Sequence, residues 1–332
     1  MILVTGGSGF IGANFIVNWF SENKEPLVNL DKLTYASNQD NLRNLKKSEN
    51  YFFEKGSIED FSLVSALLEK YEPRAVINFA AESHVDRSIS DSDGFIQTNI
   101  LGTHNLLKAS LKYFEKLKES ERDNFRFIQI STDEVYGSLK DKDSQSTEHS
   151  PYFPNSPYSA SKASGDHLAR AWHETFGLPI ITTNCTNNYG PFQHKEKLIP
   201  LMISYCLKGE KLPIYGDGSN IRDWLYVKDH CDALSVVLKN GKKGETYNIG
   251  GKNEIKNIEV VTQICNLLDD LYPKKNGGSY SNQISFVEDR LGHDYRYGLN
   301  ISKIENELGW SPKESFNSGI NKTIEWYLKK II

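Results

Sequence analysis

Hydrophobic residues in the first half of the chain alternate between short runs and longer helical patterns. Short apolar runs, typical of buried strands, occur at residues 2–5, 27–30, 51–53, 75–79, 125–130 and 179–184. Between them, apolar residues recur at helical spacing over residues 11–22, 61–71 and 95–117, and from Tyr158 onward. Strands that alternate with helices favour a parallel sheet covered by helices. The pattern therefore predicts an α/β fold with a doubly wound parallel sheet.

The pattern changes after about residue 190. Strand-like segments at 212–215, 224–227 and 246–249 mix with helical segments at 198–207, 258–271 and 315–329. A chain of 332 residues is long enough for two domains, since a domain takes roughly 150 residues. We predict a dinucleotide-binding domain over 1–190, to which 228–250 returns. A smaller mixed α/β substrate-binding domain would comprise 191–227 and 251–332.

Composition and charge exclude several classes of protein. The chain is 38% hydrophobic and 25% charged, as is usual for a globular protein. Its net charge is −4 and it has no basic tract, which argues against a nucleic-acid partner. The apolar runs are only a few residues long, whereas ~20 residues are needed to span a bilayer. We therefore expect neither nucleic acid nor membrane as a partner.

The cysteines and histidines show no metal-binding or disulfide pattern. Cys185, Cys206, Cys231 and Cys265 are widely spaced, so we predict buried thiols and not a disulfide framework or a zinc site. The eight histidines show no ligand spacing, and no metal is expected. Glycines follow the first few residues directly, which leaves no room for the apolar core of a signal peptide. We expect a cytoplasmic protein.

A glycine-rich segment indicates a dinucleotide site. Residues 7–12, Gly-Ser-Gly-Phe-Ile-Gly, fit G-x-G-x-x-G between a predicted strand and a predicted helix. Such a turn lets a pyrophosphate approach the helix N-terminus. Asp31 ends the next strand, where a carboxylate suits ribose hydroxyls and disfavours the extra phosphate of NADP. We therefore predict NAD as the cofactor; the alternative is a glycine-rich turn in an unrelated α/β protein.

A tyrosine and a lysine form a second candidate motif. Tyr158 and Lys162 are four residues apart, on one face of a helix that starts after Pro157. A phenol with a pKa of about 10 is a poor base at neutral pH, but a nearby ammonium and a nicotinamide cation stabilise phenolate. The pair could then deprotonate a substrate alcohol during hydride transfer. The alternative is an ordinary exposed pair.

Two adjacent carboxylates follow the predicted strand at 125–130. Ligands of open α/β sheets gather at the carboxyl ends of the strands, where residues 131–134, Ser-Thr-Asp-Glu, fall. The Thr132 hydroxyl could bond the reacting oxygen. Asp133 and Glu134 could supply the acid and the base that elimination of water requires. The alternative is that both carboxylates cap the following turn.

Segments along nearly the whole chain match one family in order. They are TGGSGFIG (5–12), DKLTYA (31–36), AAESHVDRSI (80–89), STDEVYG (131–137), SPYSASKA (156–163), TNNYGP (186–191), EKLIPL (196–201), IYGDGSNIRDWLYVKDH (214–230), ETYNIGG (245–251) and GHDYRY (292–297). With these segments the chain resembles the extended short-chain dehydrogenases/reductases, and within them the dTDP-D-glucose 4,6-dehydratases. The resemblance implies a Rossmann sheet, NAD as cofactor and a dTDP-glucose substrate.

The resemblance also implies a redox-neutral lyase reaction that yields a 4-keto-6-deoxy sugar. Tyr158 would take the proton of the sugar 4-hydroxyl while hydride leaves carbon 4 for tightly held NAD. Glu134 would remove the carbon-5 proton while Asp133 protonates the departing 6-hydroxyl. Hydride would return to carbon 6, and Glu134 would reprotonate carbon 5. Thr132 would hold the 4-oxygen, and Lys162 would orient the cofactor ribose and lower the pKa of Tyr158.

Binding residues are likewise implied by the resemblance. The cofactor would be bound by Gly6, Gly9, Phe10, Ile11, Gly12, Asp31, Lys32, Leu33, Thr34, Ile58, Phe79, Ala80, Ala81, Glu82, Ser83, Thr98, Tyr158, Lys162 and Asn188. The sugar nucleotide would be bound by Ser83, Thr132, Asn187, Lys197, Leu198, Pro213, Ile214, Tyr215, Arg222, Asn257, Asp289, Arg290, Leu291, Gly292 and His293. Lys197, Arg222 and Arg290 could neutralise a diphosphate; the alternative is that each is a solvated surface charge.

Some positions depart from the family pattern or allow two interpretations. Ser57 stands where an Asp usually meets adenine, Leu291 where Pro is usual and Asn300 where Asp is usual. These departures leave open whether thymidine or uridine is recognised. Residues 84, 86 and 87 (His, Asp and Arg) would form a loop near the sugar or a structural ion pair.

Other functions remain open at this point. A UDP-sugar 4-epimerase or another nucleotide-sugar dehydratase would share Tyr158 and Lys162, but an epimerase needs no acid and base at Asp133 and Glu134. A non-catalytic NAD-binding protein would be expected to lack at least one of Thr132, Tyr158 and Lys162, and all three are present. Relatives pair through two helices of each subunit, here 95–117 and 158–176, which implies a homodimer. The pathway could end in rhamnose or another deoxysugar.

Overall fold

The computed structural model describes residues 1–275 and 277–331. Asn276 and Ile332, both in the predicted smaller domain, lie outside the described residues. The strands are β1 (Ile2–Thr5), β2 (Leu27–Asp31), β3 (Tyr51–Lys55), β4 (Ala75–Asn78), β5 (Arg126–Thr132), β6 (Ile180–Cys185), β7 (Asn187–Tyr189), β8 (Leu212–Tyr215), β9 (Ile221–Tyr226), β10 (Thr246–Ile249), β11 (Glu254–Lys256) and β12 (Ile284–Val287). The helices are α1 (Phe10–Glu22), α2 (Phe61–Tyr71), α3 (Val85–Ser90), α4 (Asp93–Phe95), α5 (Thr103–Phe114), α6 (Glu119–Asn124), α7 (Pro157–Phe176), α8 (Leu198–Lys208), α9 (Val227–Asn240), α10 (Asn257–Leu271), α11 (Ser302–Leu308) and α12 (Phe316–Ile331).

Seven parallel strands form the main sheet, in the order β10-β6-β5-β4-β1-β2-β3. The chain winds outward from β1 through β2 and β3, and then from β4 in the other direction. The predicted doubly wound α/β fold is therefore confirmed. Such a sheet binds its ligands at the carboxyl ends of the strands beside the switch point, here between β1 and β4.

The strands are apolar on both sides because helices cover both faces of the sheet. On β1, Ile2 and Val4 pack into the cluster that contains Phe15 of α1 and Leu234 of α9. Leu3, which points to the opposite face, packs into the cluster that contains residues of α2 and α5. This burial explains why the strands read as continuous apolar runs in the sequence.

The segment 228–250 contributes to the main sheet. Within it, β10 pairs in parallel with β6, from Thr246 opposite Thr182 to Ile249 opposite Cys185. Helix α9 packs against α1. Residues 191–227 and 251–331 form most of a separate apolar cluster, around Met202, Trp224 and Ile264. The domain boundaries themselves remain a prediction.

The predicted helical stretch over 95–117 is helical as far as Phe114, but it is not a single α-helix. Helix α4 ends at Phe95, residues 96–102 form a π-helical segment, and α5 runs from Thr103 to Phe114. The segment places two polar side chains inward: Asn99 accepts a hydrogen bond from the Glu82 backbone amide at 2.9 Å, and Thr98 accepts one from Lys32 Nζ at 2.9 Å. Insertions of this kind are frequent at functional sites.

Two smaller sheets complete the fold. β11, β9 and β7 form a three-stranded sheet, and β12 pairs with β8. β9 starts at Ile221, earlier than the predicted strand at 224–227. β7 follows β6 after a single residue, so that the carboxyl end of the main sheet leads directly into the smaller unit.

The cysteines are free thiols. Cys185, Cys206, Cys231 and Cys265 are all buried.

Within residues 1–275 and 277–331, no helix combines the length and the apolar character needed to cross a membrane. The described part of the chain also contains no group of three or more His, Cys, Asp or Glu side chains arranged to hold a metal ion.

Candidate active site

A cavity lies at the carboxyl ends of the main-sheet strands and reaches the loop before α8. It is lined by the glycine-rich turn, by the ends of β2, β4, β5 and β6, and by residues 193, 194 and 197. All of the predicted catalytic residues line it, namely Thr132, Asp133, Glu134, Tyr158 and Lys162. The structure therefore brings together side chains from the end of β5 and the start of α7.

The glycine-rich turn packs backbone against backbone. Gly6 has a φ of +68°, and a Cβ there would lie 2.7 Å from the Ala80 backbone. A Cβ on Gly12 would lie 2.5 Å from the Gly6 carbonyl oxygen. Gly9, the N-cap of α1, has no side chain to cap the helix, and the first turn carries no acidic residue. The N-terminus of α1 is therefore open to an anionic group such as a diphosphate.

Asp31 is held at the end of β2 by its own neighbours. Its Oδ2 accepts a hydrogen bond from the Ser8 amide at 2.9 Å, and its Oδ1 accepts from the Leu33 amide at 2.7 Å and from Ser37 Oγ at 2.9 Å. Since a carboxylate offers about four lone-pair sites, Oδ2 retains one for a ribose hydroxyl. The turn and this carboxylate together fit a dinucleotide.

The other residues predicted to bind the cofactor are found around the same cavity. Apart from Leu33, every one of them lines it. Leu33 has a φ of +61° and contributes its amide to Asp31. Ser57, at one of the departures from the family pattern, also lines the cavity. The individual cofactor contacts remain predictions.

Tyr158 and Lys162 are both buried, so they are not an exposed surface pair. Ser156 caps α7 by accepting a hydrogen bond from the Ser159 amide at 3.0 Å, which fixes the first turn that carries Tyr158. Lys162 Nζ donates to the Ile130 carbonyl oxygen at 2.6 Å. Burial raises the pKa of Tyr158 well above its usual value and lowers that of Lys162. Tyr158 therefore needs nearby positive charge to act as a base.

Thr132, and not the carboxylates, caps the turn after β5. Its Oγ1 accepts a hydrogen bond from the Glu134 amide at 3.3 Å and donates to Asp133 Oδ1 at 3.2 Å. Asp133 Oδ2 is buried and has no hydrogen-bond partner among the described residues. Burial, the nearby Glu134 charge and Asp223 raise the pKa of Asp133 well above its usual range. Asp133 is therefore suited to hold a proton.

Glu134 lies in a different electrostatic environment. Burial raises its pKa, but the positive charges of Arg222, Arg290 and Lys197 oppose this rise. Of these three cations, only Arg222 is among the main charges that lower the pKa of Asp133. Two carboxyls whose surroundings favour different protonation states can act as acid and base. The geometry therefore suits Asp133 as the acid and Glu134 as the base.

The three predicted diphosphate-binding cations all act on Glu134 through their charge. Lys197 Nζ donates to the Ser83 carbonyl oxygen at 2.9 Å. Arg222 is buried, which excludes a solvated surface charge, and it donates to backbone carbonyls that include that of Asp294 at 2.9 Å. Arg290 lies 3.4 Å from Asp86. These three residues thus place positive charge on the Glu134 side of the cavity.

Eleven of the fifteen residues predicted to bind the sugar nucleotide do not line the cavity. They are Leu198, Pro213, Ile214, Tyr215, Arg222, Asn257, Asp289, Arg290, Leu291, Gly292 and His293. The rings of Tyr215 and His293 are 6.1 Å apart, and His293 Nδ1 is 2.7 Å from Asp289 Oδ1. Ile214 is buried in the core and Leu291 is 77% exposed. Tyr215 and Arg290 both contact Asp86, and the contacts of all eleven residues with substrate remain predictions.

An ion-paired cluster at the mouth of the cavity was predicted only in part, because the sequence analysis named His84 and Arg87 as a possible ion pair but not their partners. Arg87 pairs with Glu196 at 2.8 Å, and its guanidinium lies 3.8 Å from the centre of the Tyr35 ring. His84 and His194 lie within 4 Å of the same Glu196 carboxylate. Arg87 therefore takes part in an ion pair. Tyr35 and Glu196 belong to two of the matching segments, DKLTYA and EKLIPL. Their position in these segments was the sequence signal that could have identified them as site residues.

Comparison with known proteins gives consistent matches over the whole chain. Residues 3–323 match the family described as GDP-mannose 4,6 dehydratase. The chain is 54% identical to a dTDP-glucose 4,6-dehydratase of Xanthomonas campestris, over 98% of this chain and 92% of the relative. The fold is similar to that of a Bacillus anthracis dTDP-glucose 4,6-dehydratase in complex with NAD, with a TM-score of 0.87, 45% identity and coverage of 99% and 96%. A Streptomyces venezuelae dTDP-glucose 4,6-dehydratase with NAD bound gives a TM-score of 0.89, 42% identity and coverage of 99% and 97%.

Proposed function

The chain belongs to the family described as GDP-mannose 4,6 dehydratase, and we propose that within this family it is an NAD-dependent dTDP-glucose 4,6-dehydratase. It removes water from dTDP-D-glucose and yields dTDP-4-keto-6-deoxy-D-glucose. The observation that carries this proposal is the pair Asp133 and Glu134, in different charge environments, beside Tyr158. A simple dehydrogenase or an epimerase has no need of such a pair.

The first chemical step takes place at Tyr158. When bound, NAD supplies the hydride acceptor for carbon 4 of the sugar and the hydride donor for carbon 6. Tyr158 takes the proton of the 4-hydroxyl, and Thr132 holds the same oxygen. Lys162 provides the positive charge that stabilises the phenolate of Tyr158. Because the product keeps the ketone at carbon 4, Tyr158 must release this proton to water before the next turnover.

Elimination then uses the two carboxyls. A ketone at carbon 4 makes the carbon-5 proton acidic, and Glu134 removes this proton. Asp133 donates its proton to the 6-hydroxyl, which leaves as water. Glu134 afterwards gives its proton back to carbon 5 and regains its starting state. Asp133 must take up one proton before the next turnover, the equivalent of the proton that Tyr158 has gained. Lys197, Arg222 and Arg290 support the binding of the substrate diphosphate by charge.

Asp31 gives a direct test of the cofactor preference. We expect Asp31→Ala to weaken NAD binding about tenfold and to narrow its advantage over NADP, because the ribose loses its carboxylate acceptor and the repulsion of a 2′-phosphate disappears. Titration calorimetry with both dinucleotides measures the effect. Asp60→Ala, which removes the N-cap of α2, is the control for loss of a carboxylate. An unchanged preference in Asp31→Ala would remove Asp31 from the ribose site.

The proposed function is tested by product formation from two nucleotide sugars. Purified protein is incubated with dTDP-glucose or UDP-glucose, and alkali then reveals the ultraviolet absorbance of a 4-keto-6-deoxy product. We expect a strong signal with dTDP-glucose and little with UDP-glucose. Interconversion of glucose and galactose nucleotides without a keto product would instead identify an epimerase. Bound NAD with no turnover of either sugar would identify a non-catalytic protein.

The proposal extends to assembly and location. Exposed apolar side chains on the π-helical segment and α7, namely Ile96 at 41%, Leu101 at 46% and Phe176 at 51%, support a homodimer formed through these helices and α5. The buried free thiols support a reducing, cytoplasmic location. The product would enter deoxysugar biosynthesis, of rhamnose or of another deoxysugar.

A further inference from the structure

A buried carboxylate lies one helical turn beyond Lys162. Asp166 is on α7, four residues after Lys162 and eight after Tyr158, so the three side chains share one face of the helix. Asp166 is 4% exposed. It does not line the cavity that holds Tyr158 and Lys162, and the reaction steps derived above leave it without a role.

The contacts of Asp166 do not account for its charge. Oδ2 accepts a hydrogen bond from Ser131 Oγ at 2.5 Å and lies 3.4 Å from the Tyr152 hydroxyl. Oδ1 is buried and has no partner among the described residues. A buried carboxylate with a free oxygen is costly unless an opposite charge is near. Both of its contacts are neutral donors, so the compensating charge must come from elsewhere.

Lys162 is likewise a buried charged group without a direct counter-ion among the described residues. Its Nζ donates to the Ile130 carbonyl oxygen, and within the described part of the chain it forms no direct ion pair. Ile130 and Ser131 are consecutive residues of β5, so the two hydrogen bonds anchor the Lys162 and Asp166 side chains at adjacent positions of one strand. In this dry region a charge acts over several ångströms. The Asp166 carboxylate and the Lys162 ammonium can therefore compensate each other's charge.

We propose that Asp166 is a positioning residue for Lys162: its carboxylate keeps the buried ammonium protonated and thereby favours the phenolate form of Tyr158. This inference rests on the proposed function. Burial raises the pKa of Asp166 to about 6, against the lowering effect of Lys162 and of the hydrogen bonds from Ser131 and Tyr152. Burial lowers the pKa of Lys162, and Asp166 is the first influence that opposes this.

Three buried groups close to this pair are neutral at neutral pH, whereas His167, Arg170, Glu174 and Lys303 line a second cavity together with Asp166. Tyr152 precedes α7, Tyr136 belongs to the turn after β5, and Cys185 ends β6. Burial raises the pKa of all three, that of Cys185 to about 12. Above pH 6, Asp166 is thus the ionised group that faces Lys162 from outside the substrate cavity.

Asp166→Asn removes the charge and keeps an oxygen that can accept from Ser131. Without Asp166, the largest influence that opposes the effect of burial on Lys162 is lost. The pKa of Lys162 then falls, and the ammonium is lost at a lower pH. We expect the alkaline limb of carbon-4 oxidation to move down by about one pH unit, with the acid limb unchanged. NADH absorbance in a single turnover of dTDP-glucose measures this profile. A purely structural role would lower the rate equally at every pH and would overturn the proposal.

Glu174→Gln is the matched control. Glu174 lies on the same helix, two turns after Asp166, and is exposed beside Arg170. Its replacement changes the net charge by the same amount as Asp166→Asn, so the pH profile should stay that of the parent protein. A shift of the alkaline limb in this variant as large as in Asp166→Asn would attribute the effect to net charge and overturn the specific role of Asp166.

A second measurement does not depend on turnover. The carboxyl carbon of Asp166 is titrated by NMR in the parent protein and in Lys162→Met, both with NAD bound. Because coupling between two sites is reciprocal, loss of the Lys162 charge should raise the apparent pKa of Asp166 by about one unit. An unchanged titration would overturn the inference. If the parent protein forms no 4-keto-6-deoxy product from dTDP-glucose, the proposed function fails, whereas this titration still tests the coupling.

Discussion

Glu134→Gln should oxidise carbon 4 of dTDP-glucose but lose water elimination by about 10³-fold, the usual contribution of a general base. The amide nearly matches the carboxylate in shape but cannot accept the carbon-5 proton. Tyr158, Lys162 and Thr132 are untouched, so the first step stays possible. The expected result is a protein that accumulates NADH and oxidised sugar and forms almost no 4-keto-6-deoxy product.

Two signals separate this outcome from a general loss of activity. NADH absorbance after mixing with dTDP-glucose reports oxidation, and mass spectrometry in deuterated water reports exchange at carbon 5. We expect Glu134→Gln to give the first signal without the second. Elimination in the parent protein should fail as the pH falls, because Glu134, whose pKa is raised by burial, must be ionised to act as the base.

Asp133→Asn is the matched comparison. It leaves the base in place and removes the acid, so loss of water should also stop while Glu134 still exchanges the carbon-5 proton. Normal product formation by Glu134→Gln would refute its role as the base. Carbon-5 exchange in Glu134→Gln but not in Asp133→Asn would reverse the two assignments.

The main sheet could be predicted because burial on both faces produces recognisable apolar runs in the sequence. Strands such as β1 and β4 are covered by helices, so three of the four positions in each are apolar, and the runs stand out between helical patterns. The switch from α4 to a π-helical segment could not be predicted in the same way. Apolar residues continue on both sides of it, and only the inward hydrogen bonds of Thr98 and Asn99 show why the helix widens.

The candidate site was predictable where its residues are close in sequence. Thr132, Asp133 and Glu134 follow one strand, and Tyr158 and Lys162 share one helical face, so local spacing already brings each group together. The division of the two carboxyls into acid and base was not predictable from spacing. It depends on Lys197, Arg222 and Arg290, which only the fold places near Glu134.

Asp166 shows the same limit more sharply. In the sequence it is one polar residue of an amphipathic helix, where an exposed position would be the ordinary expectation. Its burial results from contact with Ser131 at the end of β5 and with Tyr152 in the preceding loop. Long-range contacts of this kind have no local signature.

Tyr158→Phe should reduce carbon-4 oxidation by about 10³- to 10⁴-fold. Without the hydroxyl no side chain at this position can take the proton of the sugar 4-hydroxyl, and hydride does not leave a neutral alcohol readily. The ring remains, so its edge-on packing with Phe95, at 6.3 Å between centroids, is preserved. Asp31 and the glycine-rich turn are unchanged, so NAD binding should weaken by no more than about tenfold, the most that loss of one hydrogen bond from Tyr158 would cost.

NADH formation in a single turnover and calorimetric binding of NAD together test this expectation. Tyr113→Phe is the control, because Tyr113 is a buried tyrosine of α5 that lies outside the active-site cavity. It should oxidise dTDP-glucose at the rate of the parent protein. Undiminished NADH formation by Tyr158→Phe would show that another group takes the proton. A loss confined to NAD binding would instead make Tyr158 a cofactor contact. Only a loss of oxidation with binding retained agrees with Tyr158 as the base, because the phenol is then needed for the proton alone.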